Sequence, residues 1–265
     1  MKVIRKALTI AGSDSGAGAG IQADLKTFAA LGVYGTSALT AITAQNTIGV
    51  TQVLALHPDL VAAEIDAVIS DIGAHALKTG MLANTAIIQM VAKKIQQHRL
   101  KNLVVDPVMV ATSGDLLIKK NAVTALRSIL IPLAAVVTPN IPEAEELTGL
   151  KLRTPQDIEE AARRIVEMGA KTVVIKGGHR HGPAVDLFFD GKKFRSLHAA
   201  RVRTKNTHGT GCTFSAAIAA YLAKGETSAR AVSLAKQYIT GAIRAGFVVG
   251  AGHSPVHHFY RFWRN

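Results

Sequence analysis

The chain has 265 residues, 48% of them hydrophobic and 5% aromatic, enough for one large domain with a substantial and mainly aliphatic core. No stretch approaches the roughly 18 unbroken apolar residues of a membrane span, and a single cysteine excludes an internal disulfide and fits a reducing cytosol. The net charge of +13 comes from scattered pairs such as Lys93-Lys94 and Arg163-Arg164, with no basic tail and no Cys/His finger spacing, which argues against a nucleic-acid partner.

Met1–Lys6 lacks the apolar region and cleavage site of a signal peptide, so a cytoplasmic protein is expected. Ala7–Ala11 reads as a first buried strand, followed by a Gly-rich turn and a helix near Ile21–Leu31. Tyr34–Ile42 and Val50–Leu56 read as strands, and Pro58–Ile69 as a helix opening on proline, where the missing N–H is harmless. Ala76–Thr79 is a short strand, Thr85–His98 a helix and Leu103–Val105 a buried strand ending at Asp106-Pro107. Ile118–Leu130 is helical, and Ala134–Val137 is a strand ending at Thr138-Pro139-Asn140. Thr154-Pro155-Gln156-Asp157 has the form of a capping box with Asp157 in place of Glu or Gln, opening a helix to about Met168 before a strand at Thr172–Lys176. Val185–Phe189 and Lys193–Leu197 flank Asp190-Gly191 and predict a hairpin with a type I′ turn. Cys212–Ala223 and Ser228–Arg244 are Ala-rich helices. Strands alternating with helices predict one α/β domain with a mostly parallel sheet and a small antiparallel hairpin at one edge.

Two Gly-rich turns carry the chemistry. Gly12-Ser13-Asp14-Ser15-Gly16-Ala17-Gly18-Ala19-Gly20 stands where a dinucleotide fingerprint would stand. Its spacing is G-x-G-x-G, not G-x-G-x-x-G, and no strand-end acid follows about twenty residues on. No Gly-Lys precedes Ser or Thr either, so a Walker A loop is absent. The second turn, Asn206-Thr207-His208-Gly209-Thr210-Gly211-Cys212-Thr213, lets N–H groups converge at the start of a helix, a site for an anion such as a phosphoryl group in transit. Cys212 in that helix's first turn is expected to have a depressed pKa and to take a proton from an attacking hydroxyl. Asp106, Asn140 and Glu143 at strand ends suit Mg²⁺, held directly or through water, and Lys176 suits a polyphosphate.

These residues resemble the hydroxymethylpyrimidine/phosphomethylpyrimidine kinases of thiamine biosynthesis, within the ribokinase-like superfamily. Matching segments include Ile10–Asp24, Thr43–Asn46, Lys78–Met81, Asp106–Met109, Thr138–Ala144, Lys176–His179, Lys205–Thr213 and Pro255–Phe259. The resemblance implies a three-layer ribokinase-like fold and ATP-dependent phosphorylation of 4-amino-5-hydroxymethyl-2-methylpyrimidine, then of its monophosphate. It implies that Gly12, Asp24, Gln45, Met81 and Val108 contact the pyrimidine, and that Asp106, Asn140, Glu143 and Lys176 face ATP and Mg²⁺, with Asp106 and Glu143 toward the metal. Gly209, Gly211 and Cys212 would hold the moving phosphoryl, with the thiol where related sugar kinases carry aspartate. A vitamin B6 kinase is the alternative, since some of those share the thiol. The resemblance further implies a homodimer. Ser254 departs from an expected glycine, and Ser113-Gly114-Asp115 is the candidate mobile segment.

Overall fold

The computed structural model describes residues 3–109, 120–178 and 184–263; Ser113-Gly114-Asp115 and His179 lie outside them. The strands are β1 (Lys6–Asp14), β2 (Tyr34–Gln45), β3 (Val50–Ala55), β4 (Ala76–Thr79), β5 (Leu103–Val105), β6 (Val136–Val137), β7 (Val173–Ile175), β8 (Ala184–Phe189) and β9 (Phe194–Ala199). They form one sheet in the order β3-β2-β1-β4-β5-β6-β7-β8-β9. Pairings from β2 through β7 are parallel, while β3 at one edge and β8-β9 at the other are antiparallel. Chain order reverses at β1, which lies between β2 and β4, and such a switch point opens a crevice at the strands' carboxyl ends.

Alternation along the strands divides the core. Leu8, Ile10, Leu103, Val105, Val173 and Ile175 face one apolar layer, built with α2 (Pro58–Asp71), α3 (Thr85–Gln97) and α6 (Pro155–Glu167). Ala7, Val104, Val136 and Val174 face the other, built with α1 (Gly20–Ala30), α7 (Thr210–Ala223) and α8 (Ser228–Arg244). A parallel sheet covered on both faces needs near-continuous apolar strands, which is what Leu103-Val104-Val105 and Val173-Val174-Ile175 supply. Every residue of α7 from Thr213 to Ala223 is buried, and its many alanines let it run close beneath the sheet.

Some boundaries differ from the sequence reading. The strand expected at Ala134–Val137 contracts to β6, because a 3₁₀ turn at Ile131–Leu133 carries the chain to the sheet. Within the stretch expected to be helical to Leu130, the described residues form α4 (Lys120–Ala125) and a π-turn at Leu126–Leu130. The hairpin is present, but Phe189 pairs with Phe194, so four residues form the loop in place of a two-residue type I′ turn. The Asp190 carboxylate organises it by accepting from the N–H groups of Lys192 and Lys193. One helix escaped the sequence reading, α5 (Ile141–Thr148), although Asn140 and Glu143 form its capping box. The box at Thr154 and Asp157 has the expected form.

Candidate active site

The first Gly-rich turn folds around the carboxylate of Asp14, the last residue of β1. Asp14 Oδ1 accepts from Gly16 N–H at 2.8 Å, and Oδ2 from Gly18 and Ala19 N–H at 3.1 and 2.8 Å. Burial tends to raise the Asp14 pKa, but His208 and these amides outweigh it and hold the group below the usual carboxylate value. His208 comes from the second turn, its Nε2 2.8 Å from Asp14 Oδ2 and 3.3 Å from Gln45 Nε2. The turns meet at their glycines. Gly209 is left-handed with φ +73°, and a Cβ there would lie 1.8 Å from Gly18 O. Only glycine fits that approach.

Gly209 is the N-cap of α7 and carries no side chain to occupy the helix end. The first N–H groups of a helix have no partner within it, and at Gly211 and Cys212 they stand at the positive end of its dipole. Space for a Cβ at Gly211 lies 3.4 Å from Lys176 Nζ and 3.8 Å from Asp106 Oδ2. The helix start and the strand-end charges thus converge on one place.

The thiol does not behave as the sequence suggested. Cys212 is half-buried, and desolvation pushes its pKa up to about 11, with Asp24 and Asp106 adding to the rise. Lys78 and the Gly20 N–H oppose the shift without reversing it. A helix N-terminus lowers a thiol pKa by its positive potential, but here burial beside two carboxylates outweighs it. At neutral pH the group is a thiol, and the expected depressed pKa is corrected.

Asp106, directly after β5, is buried, and its Oδ1 accepts from Lys176 Nζ at 3.0 Å and from Thr138 Oγ1 at 3.1 Å. Desolvation would raise its pKa, yet Lys176 and then Lys78 keep it below the ordinary value. Lys176, following β7, also lies 3.9 Å from Glu143 Oε2. Glu143 and Asn140 cap α5: Glu143 Oε2 accepts from Asn140 N–H, and Asn140 Oδ1 from Glu143 N–H. Asn140 and Lys176 are joined by a parallel bridge, so the four residues form one group. Burial raises the Glu143 pKa to about 7.

The residues assigned to the pyrimidine are less uniform. Gly12 faces Met81, since a Cβ on Gly12 would lie 3.3 Å from Met81 Sδ. Gln45, at the end of β2, lies instead against His208 and accepts from Thr43 Oγ1. Val108 donates its N–H to Asp106 O, which ties it to the charged group. Asp24 lies deeper, at 0% exposure, where Oδ2 accepts from Thr9 Oγ1 at 2.6 Å and from Lys78 Nζ at 2.9 Å. Burial pushes its pKa up, and Lys78 and Thr9 pull it back. For Lys78 desolvation acts downward, but Asp24, then Cys212 and Asp106, carry its pKa above the usual lysine value. Lys78 Nζ and Asp24 Oδ2, 2.9 Å apart, form a buried salt bridge.

Lys78, Asp14, His208, Thr138 and Ser215 are the site residues that sequence reasoning missed. Ser215 Oγ donates to Gly211 O and lies 3.0 Å from Thr138 Oγ1, so the residue after β6 packs against the first turns of α7. Lys78 did leave a signal: a lysine inside the buried strand Ala76-Leu77-Lys78-Thr79 requires a partner. Ser254, the departure near the C-terminus, does not disturb the tail. It is buried, its carbonyl accepts from His208 N–H and its Oγ accepts from Val249 N–H.

The family model described as phosphomethylpyrimidine kinase matches residues 14–257. The bifunctional thiamine biosynthesis protein ThiED of Geobacter sulfurreducens is 53% identical over 252 residues, which cover 95% of this chain and 51% of that protein. The chain therefore spans about half the length of that relative. The hydroxymethylpyrimidine/phosphomethylpyrimidine kinase of Rhizobium meliloti is 53% identical over 263 residues, 98% of each chain. Among solved structures, an ADP complex of Bacillus subtilis pyridoxal kinase has a TM-score of 0.91 at 44% identity, covering 98% of this chain and 100% of that one. That structural agreement establishes the ribokinase-like fold expected from the sequence. With the family model covering residues 14–257, which include Asp106, Asn140, Glu143, Lys176 and the whole second Gly-rich turn, the chain belongs to the phosphomethylpyrimidine kinase family.

Proposed function

We propose that the protein phosphorylates 4-amino-5-hydroxymethyl-2-methylpyrimidine with ATP and then converts the monophosphate to the diphosphate, in thiamine biosynthesis. One observation supports this most: the start of α7, with Cys212 in its first turn, stands beside Lys176 and Asp106. A phosphoryl donor and an acceptor hydroxyl would meet there. Gly12 and Met81 offer a flat apolar contact for the ring, and Gln45 a polar edge. The acceptor oxygen bonds to the γ-phosphorus as the bond to the β-phosphate oxygen breaks, and ADP leaves. The N–H groups of Gly211 and Cys212 face the charge that gathers on the phosphoryl oxygens, while Lys176 pairs with the polyphosphate.

A thiol with a pKa near 11 does not begin as a base. Cys212 orients the hydroxymethyl oxygen, and the proton leaves late to a phosphoryl oxygen, because a loose transfer needs little base assistance. The hard oxygens of Asp106 and Glu143 fit Mg²⁺, which commonly uses one or two carboxylates together with water and phosphate. When bound, the ion would neutralise phosphate charge. Glu143 already spends Oε2 on Asn140 N–H, which suits contact through water.

Chromatographic product analysis with ATP, Mg²⁺ and the hydroxymethylpyrimidine tests the reading: mono- and then diphosphate are expected, and turnover of neither overturns it. Pyridoxal under the same conditions tests the second reading, which the structural likeness to a pyridoxal kinase supports. A homodimer is also proposed. The edge strand β3 leaves Val53 and Leu54 exposed, and sedimentation of the purified protein tests it.

A further inference from the structure

Asp186 stands in β8 on the face it shares with Phe188, which belongs to the apolar layer built with α8, so the strand's alternation asks for an apolar side chain there. The position instead carries a buried carboxylate, 4% exposed. Its two oxygens are divided. Oδ2 accepts from Lys236 Nζ of α8 at 2.6 Å, and Oδ1 accepts from Gly177 N–H at 3.0 Å. A buried ion pair confers little net stability over apolar packing of the same volume, so stability alone is a weak reason for this one. The bond to Gly177 supplies a better reason. The β7–β8 ladder ends at Ile175 and Leu187, and beyond it the Asp186 carboxylate takes up the N–H of the residue that follows Lys176. Lys176 N–H is itself held by Pro139 O at 2.8 Å, from the β6 side. The backbone is thus fixed at Lys176 and again at the next peptide, and the ammonium it carries lies between Asp106 and Glu143. Glycine is needed at 177, because a Cβ there would lie 1.9 Å from Val185 O. Arg201 Nη1 holds the following carbonyl, Gly178 O, at 2.8 Å.

We propose that Asp186, anchored by Lys236, is a positioning residue for the nucleotide: it fixes the peptide after Lys176 and so aims the ammonium at the polyphosphate. Asp186 acts through Gly177 and Lys176, not by contact with the phosphates. This rests on the polyphosphate role given to Lys176 above.

Calorimetric titration of the full chain with ATP and Mg²⁺, and separately with adenosine, tests the assignment. Asp186→Ala should weaken ATP about 10-fold in Kd, the scale of one hydrogen bond to a charged group, and adenosine by less than about 2-fold. Asp186→Asn keeps an oxygen for Gly177 N–H and should recover most of the ATP affinity. A purely structural role would weaken both ligands alike, and equal losses overturn the assignment. Should Asp186→Ala not fold, Asp186→Leu together with Lys236→Met replaces the pair by apolar side chains and leaves no buried charge unpaired. The same ATP-selective loss is expected of that double variant. Lys176→Met separates the inference from the role beneath it. In that background Asp186→Ala should change the ATP Kd by less than about 2-fold, since the residue it positions is gone, and additive losses overturn the assignment. If Lys176→Met by itself leaves ATP binding intact, the polyphosphate role fails and the inference falls with it. If Lys176→Met loses ATP and Asp186→Ala does not, the inference alone falls.

Discussion

His208 Nε2 lies 2.8 Å from Asp14 Oδ2, joining two Gly-rich turns that are 194 residues apart in the chain. The carboxylate between them is shared by His208 and three backbone N–H groups. Two loops that could each be mobile are thereby held as one wall of the site, and Gln45 is set against the same imidazole.

Replacing Asp14 by Ala leaves three amides without their acceptor and takes the carboxylate from the imidazole, and a loss of about 2–4 kcal/mol at pH 7 is expected in urea unfolding. The pH dependence has a definite sign. A carboxyl depressed on folding contributes stability above its unfolded value of 3.8, and that contribution disappears as pH falls through its lower folded pKa. The stability gap between wild type and Asp14→Ala should therefore be widest at neutral pH and narrow below about pH 4. A gap that stays constant down to pH 2 would contradict the pairing.

Gly209→Ala meets two obstacles, a left-handed backbone and a Cβ position 1.8 Å from Gly18 O. The backbone costs about 1–2 kcal/mol by itself, and the overlap forces the turns apart. Turnover should drop by more than about 100-fold, since a displacement near 1 Å at a reacting centre has that effect. Near-normal kcat in a folded variant would count against the anion site.

Alkylation by iodoacetamide reports the thiol directly. With a pKa near 11, Cys212 in the ligand-free protein should react slowly at pH 7, with a rate still rising above pH 9. A plateau near pH 7 would restore the low-pKa thiolate. Cys212→Ser should slow the alcohol step by roughly 10- to 100-fold and the phosphate step by less, because a phosphate acceptor carries its own negative charge. Equal losses in product analysis of the two steps would refute a role confined to the alcohol.

Lys176→Met removes the cation between Asp106 and Glu143. The expected effect on kcat/KM for ATP is a fall of roughly 100- to 1000-fold, the scale of losing one charge-stabilising donor. Steady-state kinetics checks it, and circular dichroism with thermal unfolding establishes that the variant is folded. Loss of affinity for the pyrimidine alone would place Lys176 elsewhere.

Much of this architecture is legible in local pattern. Apolar triplets such as Leu103–Val105 and Val173–Ile175 announce strands buried on both faces, and the Thr154–Asp157 box announces a helix start. Each depends on residues close in sequence, which is why short-range rules find them. The second Gly-rich turn, with its lone cysteine at a helix start, is likewise readable as a candidate anion site without any coordinates.

The state of that cysteine was decided by tertiary structure. Local reasoning put Cys212 at a helix start and lowered its pKa, whereas burial beside Asp24 and Asp106 raises it. Lys78 and His208 belong to the same class, because their partners Asp24 and Asp14 lie 54 and 194 residues away. Sequence by itself determined where the two Gly-rich turns and the helix starts after them lie, since glycine spacing and helix starts are local properties. Only the folded chain determined which charges stand next to them, because desolvation and Coulomb interaction depend on distance in space and not on separation along the chain.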